Sequence, residues 1–406
     1  MNDILKKILI IAGIVLIVGA LVFVFFFYKG TVVFNPSPET ARIDIDGVSL
    51  TGQAKIKLNP GSYHMTISSP DYVDYTKIIN VGISQKINLS VALKKLPVPE
   101  KILDDNIQFL SKSLDGNLFY LGNSGKTIYR MTDIANKDLR KSLPITPDVF
   151  ENIKYLAFSS NYDLAILKKD NNTILYDFMR YDLLHQELHD WGGNIGYIIW
   201  SPDGEQIAYY YQTSQGEKTL IRANKDNSAV ERIYNFKDTN ITNPKLVWSP
   251  DGNKILVIKD DIYIFDVYTK TLTQVTNGGG VADAAFSPNS KSILYNYLDS
   301  TQNISLLMID IDGKNIRDLT VKTYLDKLAW IDEKNMILAI PDTVNSNLSD
   351  RIVKINTDTF SQEEYGYASK SGKISPSNII YDKIDNYLFF LANNNLYSLD
   401  LSASKY

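Results

Sequence analysis

Few residues of this chain have the types and spacing that catalysis or metal binding requires. His185 and His189 lie four positions apart with Glu187 between them, which is close to the zinc-binding pattern of a metalloprotease helix. In that pattern the glutamate directly follows the first histidine, so Glu187 comes one position too late. We therefore predict that these residues form a strand or loop and not a metal site.

Two aspartate-rich segments have the first residues of a calcium-binding loop. They are 44–47 (Asp-Ile-Asp-Gly) and 310–315 (Asp-Ile-Asp-Gly-Lys-Asn). A complete loop needs a glutamate at its twelfth position, where this chain has Lys55 and Val321. We predict a hairpin turn at the first segment, a turn between two strands at the second, and a surface position for His64.

The remaining composition excludes several kinds of site. The 406 residues contain no cysteine and three histidines, so thiol catalysis, disulfides, thiolate zinc sites and lipid attachment at cysteine are excluded. No Gly-x-Ser-x-Gly nucleophile motif is present. A net charge of −4 gives no reason to expect nucleic-acid binding. We predict no catalytic, cofactor-binding or metal residues and no cofactor.

The first element is an apolar segment that is long enough to cross a bilayer. Residues 8–27 are twenty consecutive apolar residues, and an α-helix of that length spans about 30 Å. Lys6 and Lys7 precede it, so residues 1–7 are expected in the cytoplasm and everything after Lys29 outside the cell membrane. A cleaved signal peptide and a buried helix are the alternatives. We expect an uncleaved single-pass anchor in the lipid bilayer over residues 8–28.

Residues 31–93 alternate between apolar and polar side chains in short runs, which is the pattern of half-buried strands. Turn residues separate the runs, so we predict a small β-sandwich. Four segments resemble the PEGA domain in their order, namely 35–38 (Asn-Pro-Ser-Pro), 45–47 (Ile-Asp-Gly), 58–63 (Leu-Asn-Pro-Gly-Ser-Tyr) and 70–72 (Pro-Asp-Tyr). Asp71 departs from the glycine usual at that position. The resemblance implies an extracytoplasmic spacer or interaction module without enzymatic activity.

A repeat follows the linker at residues 94–101 and occupies residues 102–406. Its clearest units contain Trp200-Ser201-Pro202-Asp203-Gly204 and Trp248-Ser249-Pro250-Asp251-Gly252, and Phe286-Ser287-Pro288-Asn289-Ser290 is a third copy. Seven equivalent positions are separated by 46, 42, 48, 38, 44 and 51 residues, namely Ser113, Ser159, Ser201, Ser249, Ser287, Ile331 and Asp382. A period of about 40–50 residues with four short strands per unit is typical of a β-propeller.

The repeated residues have structural roles. The Ser-Pro-Asp-Gly sequence suits a type I turn between the first two strands of a unit. The aromatic residue before this turn is expected to pack between neighbouring blades; the set is Phe158, Trp200, Trp248, Phe286, Trp330 and Tyr381. These units resemble the TolB and WD40-like propeller repeats of bacterial envelope proteins.

The end of the chain bears on the number of blades. The last unit lacks a fourth strand, which residues 100–103 could supply by joining the two ends of the ring. We expect an all-β fold with seven blades, with six or eight as the alternatives.

The resemblances imply a binding role. We expect a non-enzymatic, membrane-anchored extracytoplasmic scaffold whose propeller face binds a protein partner in the cell envelope. Binding of cell-wall or surface carbohydrate through exposed aromatic residues is the second hypothesis. A hydrolase or lyase that uses carboxylates gathered at the propeller channel is the third.

Overall fold

The computed structural model describes most of the chain. The described residues are 8, 10–19, 28–69, 72–95, 97–146, 150–169, 173–178, 189–190, 194–342, 349–367 and 373–402. They form two compact units, one that ends at Pro97 and a second that covers Val98–Ser402.

The apolar N-terminal segment is helical where it is described, at residues 8 and 10–19. Within the described residues, no helix has both the length and the apolar character needed to span a membrane. The expected cytoplasmic residues 1–7 lie outside the described part, as do residues 9 and 20–27 of the expected span 8–28.

The first unit consists of two small sheets. Its strands are β1 (Gly30–Ser37), β2 (Arg42–Ile45), β3 (Val48–Thr51), β4 (Ala54–Leu58), β5 (Gly61–Ser68), β6 (Tyr75–Val81) and β7 (Lys86–Ala92). One sheet has the order β4-β1-β7, and the other has the order β3-β2-β5-β6. Strand β1 pairs with β7 in parallel, whereas the other strand pairs are antiparallel.

The alternation seen in the sequence decides which side chains of this unit are buried. Ile43, Ile45, Met65 and Ile67 are buried in one apolar core, while the intervening residues of β2 and β5 are partly or fully exposed. Since successive side chains of a strand point to opposite faces, one face of the sheet covers the core and the other meets solvent.

The second unit consists entirely of short strands and turns where it is described. Its first fourteen strands are β8 (Glu100–Leu103), β9 (Gln108–Lys112), β10 (Leu118–Gly122), β11 (Thr127–Thr132), β12 (Lys141–Pro144), β13 (Tyr155–Phe158), β14 (Leu164–Lys168), β15 (Thr173–Asp177), β16 (His189–Asp190), β17 (Ile195–Trp200), β18 (Gln206–Gln212), β19 (Lys218–Asn224), β20 (Glu231–Asn235) and β21 (Lys245–Trp248). The next fourteen are β22 (Lys254–Lys259), β23 (Asp261–Asp266), β24 (Leu272–Gln274), β25 (Val281–Phe286), β26 (Ser292–Leu298), β27 (Ile304–Asp310), β28 (Arg317–Asp318), β29 (Leu328–Trp330), β30 (Asn335–Ile340), β31 (Arg351–Asn356), β32 (Gln362–Tyr367), β33 (Ser377–Asp382), β34 (Tyr387–Ala392) and β35 (Asn395–Asp400). Short 3₁₀ turns lie at Asn123–Gly125 and Leu325–Lys327.

These strands form seven antiparallel sheets of four strands in the described residues. Sheets 1 to 6 are β9–β12, β13–β16, β17–β20, β21–β24, β25–β28 and β29–β32, each in chain order. Sheet 7 contains β33, β34 and β35, and its fourth strand is β8 from the start of the unit. Residues 100–103 therefore supply the fourth strand of the last sheet, which is the strand that the last repeat lacks.

Apolar clusters join the seven sheets into a closed ring. Each cluster contains buried residues of two neighbouring sheets, and the last one joins sheet 7 to sheet 1. Representative pairs, in order around the ring, are Leu121 and Leu156, Ile166 and Ile207, Leu220 and Ile255, Leu256 and Ile293, Leu306 and Leu338, Ile337 and Leu388, and Phe389 and Leu118. The unit is a β-propeller, because every sheet buries both faces against its neighbours.

The Ser-Pro-Asp-Gly segments are the tight turns that the sequence predicts. The Gly204 N–H donates to the Ser201 carbonyl at 2.9 Å, and Gly204 has a positive φ of 74°. The buried Ser201 hydroxyl accepts the Gln206 N–H at 2.9 Å and donates to Asp203 at 2.5 Å. This serine therefore ties the end of the first strand to the beginning of the second.

The six repeated aromatic residues pack between neighbouring sheets, which confirms their predicted structural role. Trp200, Trp248 and Phe286 are buried members of the clusters between sheets 2 and 3, 3 and 4, and 4 and 5. Phe158, Trp330 and Tyr381 are partly buried against the corresponding clusters of their own sheets. The Trp200 Nε1–H also donates to the Ala157 carbonyl of sheet 2 at 3.1 Å.

Candidate functional site

The first strands of the sheets lie at the centre of the ring. Strand β9 contacts β13 and β33, and β17 contacts β13 and β21, so the first strands of successive sheets are neighbours. All of them run in the same direction around the channel, because every sheet repeats the same order of antiparallel strands. The turns that connect first to second strands and third to fourth strands therefore lie at one end of the ring.

We call that end the turn face, and the other end the opposite face. Exposed large apolar side chains are concentrated in connections on the turn face. They are Leu114 and Ile384 between first and second strands, and Leu139, Val230, Tyr268, Ile316 and Phe360 between third and fourth strands. In the described connections of the opposite face, Tyr324 is the corresponding residue, and Tyr297 lies near the end of its strand β26.

The two most exposed of these side chains lie in neighbouring sheets. Leu114 is 95% exposed in the first turn of sheet 1, and Ile384 is 81% exposed in the first turn of sheet 7. Leu114 occupies the repeat position at which Pro202 and Pro250 begin their turns. Neither aliphatic side chain covers a core, so the fold itself does not require either of them.

A cleft of about 640 Å³ lies between the same two sheets. Its lining includes Ile384 and the carboxylates of Asp115, Asp133, Asp382 and Asp385. Lys137 is the one cation in the lining, and it forms an ion pair with Glu100 at 2.7 Å. The cleft therefore combines exposed apolar surface with an excess of negative charge.

One of the cleft carboxylates, Asp382, is paired with a lysine, and so are other charged groups of the channel. The Lys112 Nζ of β9 lies 2.9 Å from Asp382 Oδ1 of β33, and both side chains are largely buried. At the start of the first strands, Lys245 Nζ of β21 lies 2.5 Å from Asp283 Oδ1 of β25. Each of these charged groups therefore has a partner of opposite charge on a neighbouring sheet.

A third group of charges lies at the start of β29. Lys327 Nζ contacts Asp350 at 2.7 Å and donates to the Ser375 hydroxyl at 2.6 Å. Burial by surrounding protein raises the pKa of the adjacent Asp326, and the charge of Lys327 partly opposes that increase. Among the described Asp and Glu residues with a resolved pKa shift, Asp326 is the one whose pKa is raised. A raised carboxyl pKa at a channel is a feature of acid–base catalysts, although structural charge networks produce it too.

The aspartate-rich segments of the sequence are turns, as predicted. Asp46 and Gly47 have positive φ values of 39° and 87° at the β2–β3 hairpin, and Asp44 binds Arg42 and Ser49. At the second segment Asp310 ends β27 and forms an ion pair with Arg317 at 2.9 Å.

The histidines flagged in the sequence contribute little to the described site. His64 is exposed on β5, as predicted. His185 and Glu187 lie outside the described residues, and only the backbone of His189 is described, in β16. Across the described ranges, no group of three or more His, Asp or Glu side chains is placed to hold a metal ion.

The tyrosines do not form an aromatic platform in the described part of the propeller. Tyr268 is exposed on the turn face, whereas Tyr297 and Tyr324 are exposed at the other end of the ring. Most other described tyrosines are wholly or partly buried between sheets, as at Tyr120, Tyr176 and Tyr210. This distribution agrees with the packing role that strands give to tyrosine.

Comparison with known proteins identifies the first unit. The model of the PEGA domain family matches residues 29–97, which include all seven strands of that unit. No curated protein matches the chain in sequence.

Solved structures match most of the chain at low sequence identity. Oligogalacturonate lyase of Vibrio parahaemolyticus is 11% identical, with a TM-score of 0.54 over 75% of this chain and 90% of that protein. A catalytically inactive virginiamycin B lyase of Staphylococcus aureus, solved with quinupristin, is 12% identical, with a TM-score of 0.51 over 75% and 98%. TolB of Acinetobacter baumannii is 15% identical, with a TM-score of 0.42 over 78% of each chain. Residues 29–97 therefore match the PEGA domain, and residues 98–402 have a β-propeller fold.

Proposed function

We propose that this chain is a non-enzymatic, membrane-anchored binding protein of the cell envelope whose propeller binds a protein partner through its turn face. The concentration of exposed apolar side chains on that face is the observation that carries the proposal. In this proposal the seven sheets are the seven blades that the repeat spacing predicts.

The chemistry of the turn face defines the partner. Leu114 and Ile384 are close to fully exposed, and desolvation of large apolar side chains is a main source of binding free energy. The adjacent cleft carries four carboxylates, of which Asp382 is paired with Lys112, and one lysine that is paired with Glu100. A partner with a basic surface that also presents apolar side chains is complementary to both features.

The N-terminal segment supports membrane anchoring. Its described helical residues expose large apolar side chains, namely Ile8, Ile10, Ile11, Ile14, Val15, Leu16, Ile17 and Val18. A continuous apolar helix without a polar face is suited to a lipid environment and not to water. In the proposal, residues 8–28 anchor the chain, and the PEGA domain and propeller are extracytoplasmic.

Crosslinking in intact cells, followed by affinity capture of the tagged full-length chain and mass spectrometry, tests this function. We expect one abundant envelope protein, which is lost when residues 102–406 are deleted. It is also expected to be lost in the double variant Leu114→Ser/Ile384→Ser, while Leu143→Ser retains it. Leu143 is a matched control because it is an exposed leucine on the outer strand β12. Capture that is unaffected by the double variant would contradict the proposal.

Carbohydrate binding and catalysis at the channel would each require a different arrangement of residues. Carbohydrate binding needs clustered exposed aromatic residues, and the exposed described tyrosines of the propeller are divided between its two ends. Catalysis at the channel has one specific candidate, Asp326, whose pKa is raised by burial. Turnover of an oligosaccharide or peptide that is abolished by Asp326→Asn would favour the enzymatic function over the scaffold function.

A further inference from the structure

A small cavity lies on the opposite face of the propeller, between sheets 2 and 3. It has a volume of about 200 Å³ and is lined by Lys154, Tyr155, Lys168, Gly196, Tyr197, Ile198 and Asn243. Tyr155 and Tyr197 lie near the starts of the first strands β13 and β17, and Lys168 ends the second strand β14. The cavity therefore lies at the other end of the sheets from Leu114 and Ile384.

Lys168 is held in this cavity by neutral groups. Its Nζ donates to the carbonyl oxygens of Ile195 at 2.7 Å and Gly196 at 2.9 Å. An ammonium group has three N–H donors, so one donor has no acceptor among the described residues. Desolvation lowers the pKa of Lys168, because partial burial disfavours its charged form.

The cavity lining carries positive charge and no compensating carboxylate. Lys154 and Lys168 are both in the lining, and none of the lining residues is acidic. Neither lysine forms an ion pair with any described carboxylate. In contrast, Lys112, Lys245 and Lys327, which lie elsewhere along the channel, each have an aspartate partner. A bound anion would supply the partner that this pair of lysines lacks.

The rest of the lining is rigid and largely apolar. The Tyr155 hydroxyl donates to the Ile198 carbonyl at 2.9 Å, which fixes the ring, and Tyr197 packs edge-on against it at 5.9 Å. The backbone approaches closely at Gly196, where an added Cβ would lie 2.5 Å from Asn243 Oδ1 and 2.8 Å from Tyr210 Cδ1. The cavity thus offers two aromatic rings and an isoleucine beside its cations.

We propose that this cavity binds the C-terminal residue of a polypeptide, with the free carboxylate at Lys168 and Lys154 and the side chain against Tyr155 and Tyr197. A chain terminus combines one carboxylate with one side chain, which matches a lining of cations next to apolar rings. An acidic sugar has several hydroxyl groups that need acceptors, and Asn243 supplies the one side-chain amide of the lining. The site is separate from the turn face and goes beyond the binding function proposed above.

Binding of defined peptides to the purified full-length chain in detergent tests the inference. The probes are twenty fluorescein-labelled hexapeptides that differ only in their last residue, each prepared as the free acid and as the C-terminal amide. We expect free acids with an apolar or aromatic last residue to bind, and their amides to bind at least tenfold more weakly. Equal anisotropy changes for acids and amides, or no binding by any free acid, would overturn the proposal.

Variants locate the binding. Lys168→Met keeps the aliphatic stem and is expected to weaken free-acid binding at least tenfold. Lys259→Met is the matched control, because Lys259 ends the second strand β22 of sheet 4 and lies outside the cavity. Thermal melting shows whether Lys168→Met folds. If it does not fold, the proposal is tested by Lys154→Met, which is also expected to weaken free-acid binding, and by the comparison of acids with amides on the unmodified chain.

An acidic oligosaccharide is the second probe, because an acidic sugar also carries a carboxylate that the two lysines could bind. If a tetramer of galacturonic acid binds the chain and Lys168→Met abolishes that binding while no peptide acid binds, the site is a sugar site and the proposal is wrong. The Leu114→Ser/Ile384→Ser variant is expected to bind the peptide acids normally. Failure of the turn-face function therefore leaves this result unchanged.

Discussion

Lys112 and Asp382 form an ion pair between the first and the last sheet of the propeller, with 2.9 Å between Nζ and Oδ1. The two residues end the first strands β9 and β33, and their side chains are 18% and 4% exposed. The pair therefore crosses the junction at which the ring closes, close to the acidic cleft of the turn face. It makes a specific prediction about stability.

Asp382→Ala is expected to lower the free energy of unfolding by about 3–5 kcal/mol, because it leaves the charge of Lys112 buried without a partner. Urea titration of the purified chain, followed by tryptophan fluorescence, measures the change. The exposed pair of Lys334 and Asp358 is the control, and Asp358→Ala is expected to change the free energy of unfolding far less than Asp382→Ala does.

The double variant Lys112→Met/Asp382→Leu refines this prediction. Removing both charges avoids the unpaired buried cation, so most of the lost stability is expected to return. A double variant that is as unstable as Asp382→Ala would show that the residues act through packing and not through their charges.

The pairing of β8 with β35 predicts a disulfide across the ring junction. Lys101 lies opposite Tyr397 in the register of the two strands. Because the chain has no cysteine, Lys101→Cys/Tyr397→Cys creates a single pair that is expected to oxidise readily and to raise the thermal midpoint. Lys101→Cys/Asp400→Cys is the control, since three further residues along β35 separate the Cα atoms by about 10 Å. Efficient oxidation of the control pair would contradict the register.

The Ser201 hydroxyl links the turn of sheet 3 to the ionisation of Asp203. Its hydrogen bond is the largest cause that lowers the pKa of Asp203 below the ordinary value of 3.8. A carboxyl with a lowered folded-state pKa stabilises the fold above its unfolded pKa, and this contribution is lost as pH falls through the folded-state pKa. Ser201→Ala also removes the hydrogen bonds of the buried hydroxyl to the Gln206 backbone, so it is expected to destabilise the chain by about 1–3 kcal/mol near pH 7.

The same variant is expected to flatten the dependence of stability on pH below about pH 4. Denaturant unfolding at a series of pH values from neutral to acid measures both effects. Ser214→Ala, in an exposed turn of the same sheet, is the control and is expected to change neither quantity. If the dependence of stability on acidic pH is the same in Ser201→Ala as in the unmodified chain, Asp203 ionises independently of this serine.

The charge of the turn face predicts how a partner associates. Association with a basic partner is expected to slow as ionic strength rises, while dissociation changes little, because long-range attraction acts on the encounter. Asp133→Asn/Asp385→Asn removes two of the cleft carboxylates and is expected to reduce the salt dependence of the association rate. Asp299→Asn, at a turn on the opposite face, is the control for surface plasmon resonance. A salt dependence that is unchanged in the double variant would contradict electrostatic steering by the cleft.

The N-terminal segment predicts membrane association. Full-length chain is expected to remain with the membrane after carbonate extraction, whereas Val15→Arg is expected to be released in part, since a charge in the middle of a span costs about 2.5–3.5 kcal/mol. Val33→Arg, within the PEGA domain, is the comparison that separates misfolding from loss of the anchor. Release of the unmodified chain by carbonate would contradict the anchor.

Local sequence patterns predict most of the fold. The Trp-Ser-Pro-Asp-Gly repeats locate the first and second strands of sheets 3 and 4, because a tight turn and a packed aromatic leave a clear periodic signal. The missing fourth strand of the last repeat predicts a ring-closing role for residues 100–103. The alternation of residues 31–93 likewise predicts a small β-sandwich, and the structure has seven strands there.

The candidate sites were beyond prediction because they combine residues that are distant in sequence. In the sequence, Leu114 and Ile384 are two isolated apolar residues far apart in the chain. They lie in neighbouring turns only because ring closure places sheets 1 and 7 side by side. The cavity around Lys168 takes residues from sheets 2 and 3 and from the segment before sheet 4. A lysine at the end of a strand gives no signal in the sequence that its acceptors will be backbone carbonyls of another sheet.

Site-specific photocrosslinking in intact cells tests the turn face most directly. A photoreactive phenylalanine analogue replaces Ile384, Leu114 or, as the control, Leu143 on the outer strand β12. We expect one crosslinked product of the same mass from Ile384 and Leu114 and none from Leu143. No product from either Ile384 or Leu114, or the same product from Leu143, would contradict a partner-binding role for this face.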